Sequence, residues 1–128
     1  IAQGKMPCAH LYQYDFSRGL PSALEGLQFD FIISTYALHH LTDPQKVTFL
    51  ELLRDHLVRD GRILIGDVAF ETRNLLEACQ RQAGEGWDSD EIYIVYDELA
   101  GYYPNGELHF QAFSHCAGII ELGPRVTR

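Results

Sequence analysis

The chain has 128 residues, 46% of them hydrophobic, with eleven glycines and five prolines, a make-up that suits one domain with a real core and excludes disordered, collagen-like and disulfide-scaffold chains. Its formal charge of −8 is uneven: eight acids and no Lys or Arg lie between Gln82 and Pro124, while acids and bases balance elsewhere, so nucleic acid is an unsuitable partner. That segment reads as a solvated acidic surface, with a face for a cationic substrate or basic partner as the alternative. The three cysteines form no CxxC pair and read as free thiols in a reducing, cytoplasmic setting. No apolar run approaches the roughly 18 residues of a membrane helix, and the opening IAQGKMPCAH lacks a signal-peptide core, so no membrane partner is expected.

In chain order, residues 8 to 15 form an aromatic-rich extended run ending at Asp15, followed by a connection through SRGLPSALEG. Gln28 to Ser34 is a short burst of strand formers. Thr42-Asp-Pro-Gln45 reads as a capping box, and the spacing of Val47, Leu50, Leu53, Leu57 and Val58 predicts a helix to Arg59, stopped by Asp60-Gly61. Arg62 to Val68 predicts a strand covered on both faces, and Phe70 to Gln82 a helix broken at Gly84-Glu85-Gly86. Asp88 and Glu91 form a second capping-box pattern before Ile92, Val95, Tyr96 and Leu99 at helical spacing. Leu108 to His115 and Gly118 to Leu122 then predict an antiparallel hairpin. The strand–helix–strand–helix order predicts an α/β fold with a mostly parallel sheet and helices on both faces, closed by that hairpin.

In such a sheet ligands gather beyond the carboxyl ends of the strands. Three places qualify: Asp15-Phe16, Ser34-Thr35-Tyr36 with His39 and His40 just after, and Asp67. Asp15 beside Phe16 reads as an acceptor and plane for an adenine, or equally as a turn aspartate next to a core aromatic. Ser34, Thr35 and Tyr36 read as a polar ligand edge or as an ordinary strand end. Adjacent histidines point different ways, so one of His39 and His40 can take a proton from a substrate while the other bonds backbone. Asp67 reads as a substrate contact or a helix cap. No HExxH or CxxC spacing supports a metal site, and Cys116 beside His115 lacks the geometry of an activated nucleophile.

The stretch FDFIISTYALHHLTDPQKVTFLELLRDHLVRDGRILIGDVAF, from Phe29 to Phe70, resembles the middle of a class I S-adenosylmethionine-dependent methyltransferase of the small-molecule bacterial type. YQYDFSRGLP and FSHCAGIIELGP extend the resemblance upstream and downstream, to cover about Leu11 to Pro124. It implies a Rossmann-like domain, S-adenosylmethionine as cofactor and a small-molecule methyl acceptor. It also implies that Asp15 and Phe16 contact adenine and that Ser34 and Thr35 lie along the methionine side. Tyr36, His39 and His40 would face the acceptor, and Asp67 would shape its pocket. The family's glycine-rich GxGxG loop does not occur here, and Gly4, Gly19 and Gly26 have the wrong spacing. Residues 1–128 therefore read as a single partial domain lacking the family's first two strand–helix units, with the chain expected to be an incomplete or inactive fragment of a parent enzyme. Without those units the 29–34 strand becomes an apolar edge open to self-association. The alternative function is accordingly a non-catalytic module that forms homo-oligomers through that edge. A compact remnant with the 11–15 strand beside 29–34 is a further option. A nicotinamide-dependent oxidoreductase is disfavoured because its fingerprint glycines are missing too.

Overall fold

A computed structural model describes residues 8–10, 12, 15 and 18–125. The main elements are β1 (Phe29–Thr35), α1 (Asp43–Arg54), β2 (Leu57–Phe70), α2 (Arg73–Ala83), β3 (Ile94–Val95), α3 (Tyr96–Ala100), β4 (Leu108–Ala112) and β5 (Ala117–Leu122). Among the described residues the sheet runs β1-β2-β5-β4, with β3 pairing the end of β2. β1 and β2 are parallel, whereas β5 runs antiparallel to both β2 and β4. The result is a mixed α/β sheet whose parallel half carries the helical crossover and whose antiparallel half is the expected hairpin. No helix among the described residues is long and apolar enough to cross a membrane.

Strand alternation sorts the side chains of β2 into two sets. Ile63, Ile65 and Ala69 are buried on one face, joined by Ile120 and Leu122 of β5 and Leu108 of β4. The helix α1 lays Phe49, Leu50 and Leu53 onto that face, each worth about 1.5–3 kcal/mol on burial. Buried Arg54 fastens the far end of α1: its Nε donates to the Gly123 carbonyl at 3.1 Å and its guanidinium to Glu107 at 2.6 Å. Val68 and Phe70 belong to the other set, where α2 packs Leu76 against Phe70 and Val95. Trp87 and Tyr93 meet edge to face in the same cluster, 5.0 Å apart. Nearer the start of β1 this second face is open: Phe31 and Ile33 are 64% and 67% exposed. With β2 as its one described neighbour, β1 is a sheet edge.

The Thr42 capping box forms as expected: Thr42 N–H donates to Gln45 Oε1 at 2.8 Å, and Gln45 N–H to Thr42 Oγ1 at 3.3 Å. Several boundaries differ from the sequence reading. The helix α1 ends at Arg54 rather than Arg59, because Leu57 already pairs with Phe29 and β2 begins there. Asp60-Gly61 is not a helix stop but a bulge inside β2, where the register jumps from Phe29–Leu57 to Phe31–Arg62. Asp60 takes a left-handed φ of 66° there, and a Cβ on Gly61 would meet the carbonyls of Val58 and Asp30 at 3.0 and 3.1 Å. Leu57 reads as helical from its spacing but fills the core as a strand residue. Phe70 ends β2 instead of opening a helix; α2 starts after the Thr72 cap, whose hydroxyl accepts from Leu75 N–H. Asp88 does not cap a helix either: its carboxylate accepts from Asp90 N–H at 2.9 Å, and the chain extends into β3 before the short α3. The strand β4 stops at Ala112, short of His115, because Phe113 N–H bonds the Ala117 carbonyl and closes the hairpin. The predicted 11–15 strand lies outside the described residues except for Tyr12 and Asp15, which are exposed and not in a strand.

Two stability changes follow. Thr42→Ala removes the reciprocal cap and should lower unfolding free energy in urea by about 1 kcal/mol with an unchanged m-value. Gly118 lies in β5 where an added Cβ would sit 2.2 Å from the Phe110 ring, so Gly118→Val should cost about 1–3 kcal/mol in the same assay.

Candidate functional site

Parallel pairing sets Thr35 of β1 opposite Gly66 of β2, so both strands deliver their carboxyl ends to one rim. Tyr36 follows with φ 51°, an uncommon conformation for a non-glycine residue, and its N–H donates to the Gly66 carbonyl at 2.8 Å. That bend ends β1 and turns the chain into residues 37–42, which lead to the Thr42 cap. Ser34 is half-buried, while Thr35 and Tyr36 are exposed.

Asp67, one residue past Gly66, alternates onto the face covered by α1 and is only 2% exposed. A buried carboxylate needs donors, and two backbone groups supply them. Leu38 N–H donates to Oδ2 at 3.1 Å and Val68 N–H to Oδ1 at 2.8 Å. Leu38 is itself buried at 1%, so apolar packing and the carboxylate hold the turn after β1 together. The next residue, His39, is thereby brought over Asp67, with Nδ1 3.5 Å from Oδ1. Its other nitrogen, Nε2, lies 3.7 Å from Glu91 Oε1. His40 turns away and is exposed; its ring meets that of His39 edge on at 5.9 Å.

Glu91 reaches the rim because its neighbour Ile92 is tied to the turn: Ile92 N–H donates to the His39 carbonyl at 2.6 Å. The Ile92 carbonyl accepts from Lys46 Nζ at 2.7 Å, and the same ammonium donates to the Leu41 carbonyl at 2.8 Å. Burial draws the Lys46 pKa below its ordinary value, with Asp43 opposing that effect. Burial, together with a hydrogen bond to Glu91, pushes the Tyr93 hydroxyl up to about 12, so at neutral pH it stays protonated.

The structure thus brings together Thr35, Tyr36, His39 and Asp67, with Ser34 just inside the rim. Asp15 is exposed and its carbonyl accepts from Arg18 N–H; Phe16 lies outside the described residues. Lys46 and Glu91 were missed from sequence. Lys46 shares the helical stripe of Phe49, Leu50 and Leu53, and a lysine on an apolar stripe is a usable signal; Glu91 was absorbed by its capping-box pattern. Beside the rim, Thr35, Tyr36, Gly66, Phe113 and Ile119 line a depression of about 180 Å³. A larger one of about 510 Å³ lies by the amino end of β2, among Arg59, Arg62, Glu107 and Arg125, away from His39. Among the described residues no group of His, Cys, Asp and Glu is arranged to hold a metal ion.

No protein-family model matches the chain. It is 37% identical over 104 residues to an uncharacterized methyltransferase, OB1106, of Oceanobacillus iheyensis, an alignment spanning 81% of this chain and 46% of the relative. A second relative, the uncharacterized methyltransferase YrrT of Halobacillus halophilus, is 27% identical over 94% of this chain and 60% of its own length. The chain therefore spans about half the length of the curated relatives it matches. Among solved structures, a DhpI–SAM–HEP complex superposes with a TM-score of 0.68 at 15% identity, covering 96% of this chain and 61% of that one. That likeness shows the Rossmann-like methyltransferase fold, and the neighbour is described in complex with SAM. The chain is thus similar in sequence to parts of uncharacterized methyltransferases of bacteria, and similar in fold to a protein solved in complex with SAM.

Proposed function

We propose that the protein containing this chain transfers a methyl group from S-adenosylmethionine to a small molecule, with His39 as the base and Asp67 as the residue that orients it. The observation that carries this reading is the His39 ring on the rim, with Nδ1 3.5 Å from a buried, backbone-bonded carboxylate. When bound, S-adenosylmethionine supplies an electrophilic methyl group. The residues present fit one flank of it: β1 ends on the hydroxyls of Ser34 and Thr35 beside the bent backbone of Tyr36. These would hold its methionine side, with Asp15 and Phe16 beside the adenine. No GxGxG loop occurs in this sequence, so no residue of it is assigned to the remaining flank.

His39 would take the proton that the acceptor gives up as its oxygen or nitrogen bonds to carbon. Nδ1 faces Asp67, whose side chain is 1% exposed, so a substrate would reach the ring at the outer nitrogen, Nε2, alongside the Glu91 carboxylate 3.7 Å from it. Catalytic hydrogen bonds are often long before substrate is in place, which accommodates the 3.5 Å separation. His40, turned to solvent, would bind or orient rather than take the proton. Tyr36 would face the acceptor beside the 180 Å³ depression. The acidic stretch after Gln82 would suit a cationic acceptor and repels nucleic-acid phosphates.

A second reading, a self-association module, is favoured by the open edge of β1 with Phe31 and Ile33 exposed. The two readings are tested apart, methyl transfer in the protein that contains this chain and self-association in residues 1–128 alone. His39→Ala should lower kcat by about 10²–10⁴-fold, and His40→Ala by much less. Wild-type turnover in His39→Ala would remove His39 from the chemistry. Under the second reading, Phe31→Asp with Ile33→Asp converts an oligomer to a monomer in sedimentation, and an unchanged mass would contradict it.

A further inference from the structure

We propose that Lys46 is a positioning residue: from inside the core it clamps the segment carrying Glu91 onto the turn carrying His39, and so sets a second carboxylate beside the His39 ring. The inference rests on the reading of His39 as the base. It starts from a residue out of place. Lys46 is 0% exposed on the core-facing stripe of α1, among Phe49, Leu50 and Leu53. An apolar residue there would avoid the desolvation penalty of a buried ammonium, so the charge answers to something else.

Its bonds say what. Nζ donates to the carbonyl of Leu41, at the end of the His39 turn, at 2.8 Å. It also donates to the carbonyl of Ile92, 46 residues along the chain, at 2.7 Å. Asp43 lies 3.6 Å away and balances the charge from the first turn of α1. A lysine serving α1 alone would need only the local carbonyl; the bond to Ile92 joins two remote segments. The Ile92 peptide is then held from both sides, since its N–H donates to the His39 carbonyl at 2.6 Å. Glu91, immediately before it, has no regular helix or strand to fix its position. The clamp supplies that: Glu91 Oε1 comes to 3.7 Å from Nε2, opposite Asp67 at Nδ1. Any positive charge that proton uptake places on the ring then meets a fixed carboxylate at each nitrogen, without reorganisation during the reaction. Asp67 is fixed by its own strand and turn; the backbone that carries Glu91 is tied down through Lys46, while the Glu91 carboxylate also accepts from the Tyr93 hydroxyl.

The test uses the intact protein. Lys46→Met keeps an unbranched side chain in the core but removes both donor bonds. Amide exchange should rise about tenfold or more for Ile92 and its neighbours and stay unchanged in β2, because only the local opening is affected. The kcat should fall about tenfold with KM for S-adenosylmethionine unchanged. Glu91→Gln, on a half-exposed side chain, should reproduce the kcat loss without altering exchange. Unchanged exchange at Ile92 in Lys46→Met, an increase spread equally through β2, or wild-type kcat in Glu91→Gln would each overturn the proposal. Should Lys46→Met not fold, the kcat of Glu91→Gln decides. Wild-type turnover in His39→Ala fails the base assignment instead, a result separable from the exchange measurement.

Discussion

The site depends on one buried carboxylate. A buried carboxyl group such as that of Asp67 needs hydrogen-bond donors, and the donors that reach it are the backbone N–H groups of Leu38 and Val68. Meeting that demand fixes the turn after β1, because Leu38 must come to Asp67 with its own side chain in the core. The turn in turn fixes where α1 starts and where the His39 ring lies. β2 therefore organises the rim twice, by pairing with β1 and by presenting Asp67 to the loop that leaves β1. Asp67, which reads in sequence as a substrate contact or a helix cap, accepts in the fold from the backbone of the loop that leaves β1.

Much of the architecture was legible because its signals are local. The capping box at Thr42, the apolar burst of Phe29 to Ser34 and the hairpin of Leu108 to His115 with Gly118 to Leu122 each need only neighbouring residues to be recognised, and each forms, the hairpin turning earlier than expected, between Ala112 and Ala117. What was not legible depends on distant partners. Leu57 and Val58 continue a helical spacing, yet β1 draws Leu57 into a strand, and the surplus residues leave as a bulge at Asp60-Gly61. Val95, Tyr96 and Leu99 likewise keep helical spacing, but Val95 pairs with Phe70 and only one turn of helix is left.

The site divides in the same way. His39, Asp67, Thr35 and Tyr36 were marked by the rule that strand carboxyl ends gather ligands, and the fold brings them to one rim. Lys46 and Glu91 escaped because their meaning lies in contacts between remote segments, Lys46 with Ile92 and Glu91 with His39. The chain spans about half of its curated relatives, and its second sheet face exposes Phe31 and Ile33 on β1, an edge strand among the described residues. The rim assembled here sets the His39 ring between Asp67 and Glu91, at the end of the strand that carries Ser34 and Thr35.

The central claim is that Asp67 acts through His39, and a double-mutant cycle on the intact protein addresses it most directly. Asp67→Asn, His39→Ala and the double variant would be compared by kcat/KM. The account predicts strong non-additivity, with a coupling of about 1 kcal/mol or more, because removing the ring leaves Asp67 little to orient. Additive losses would contradict it and reduce Asp67 to a structural anchor with no share in the chemistry of His39.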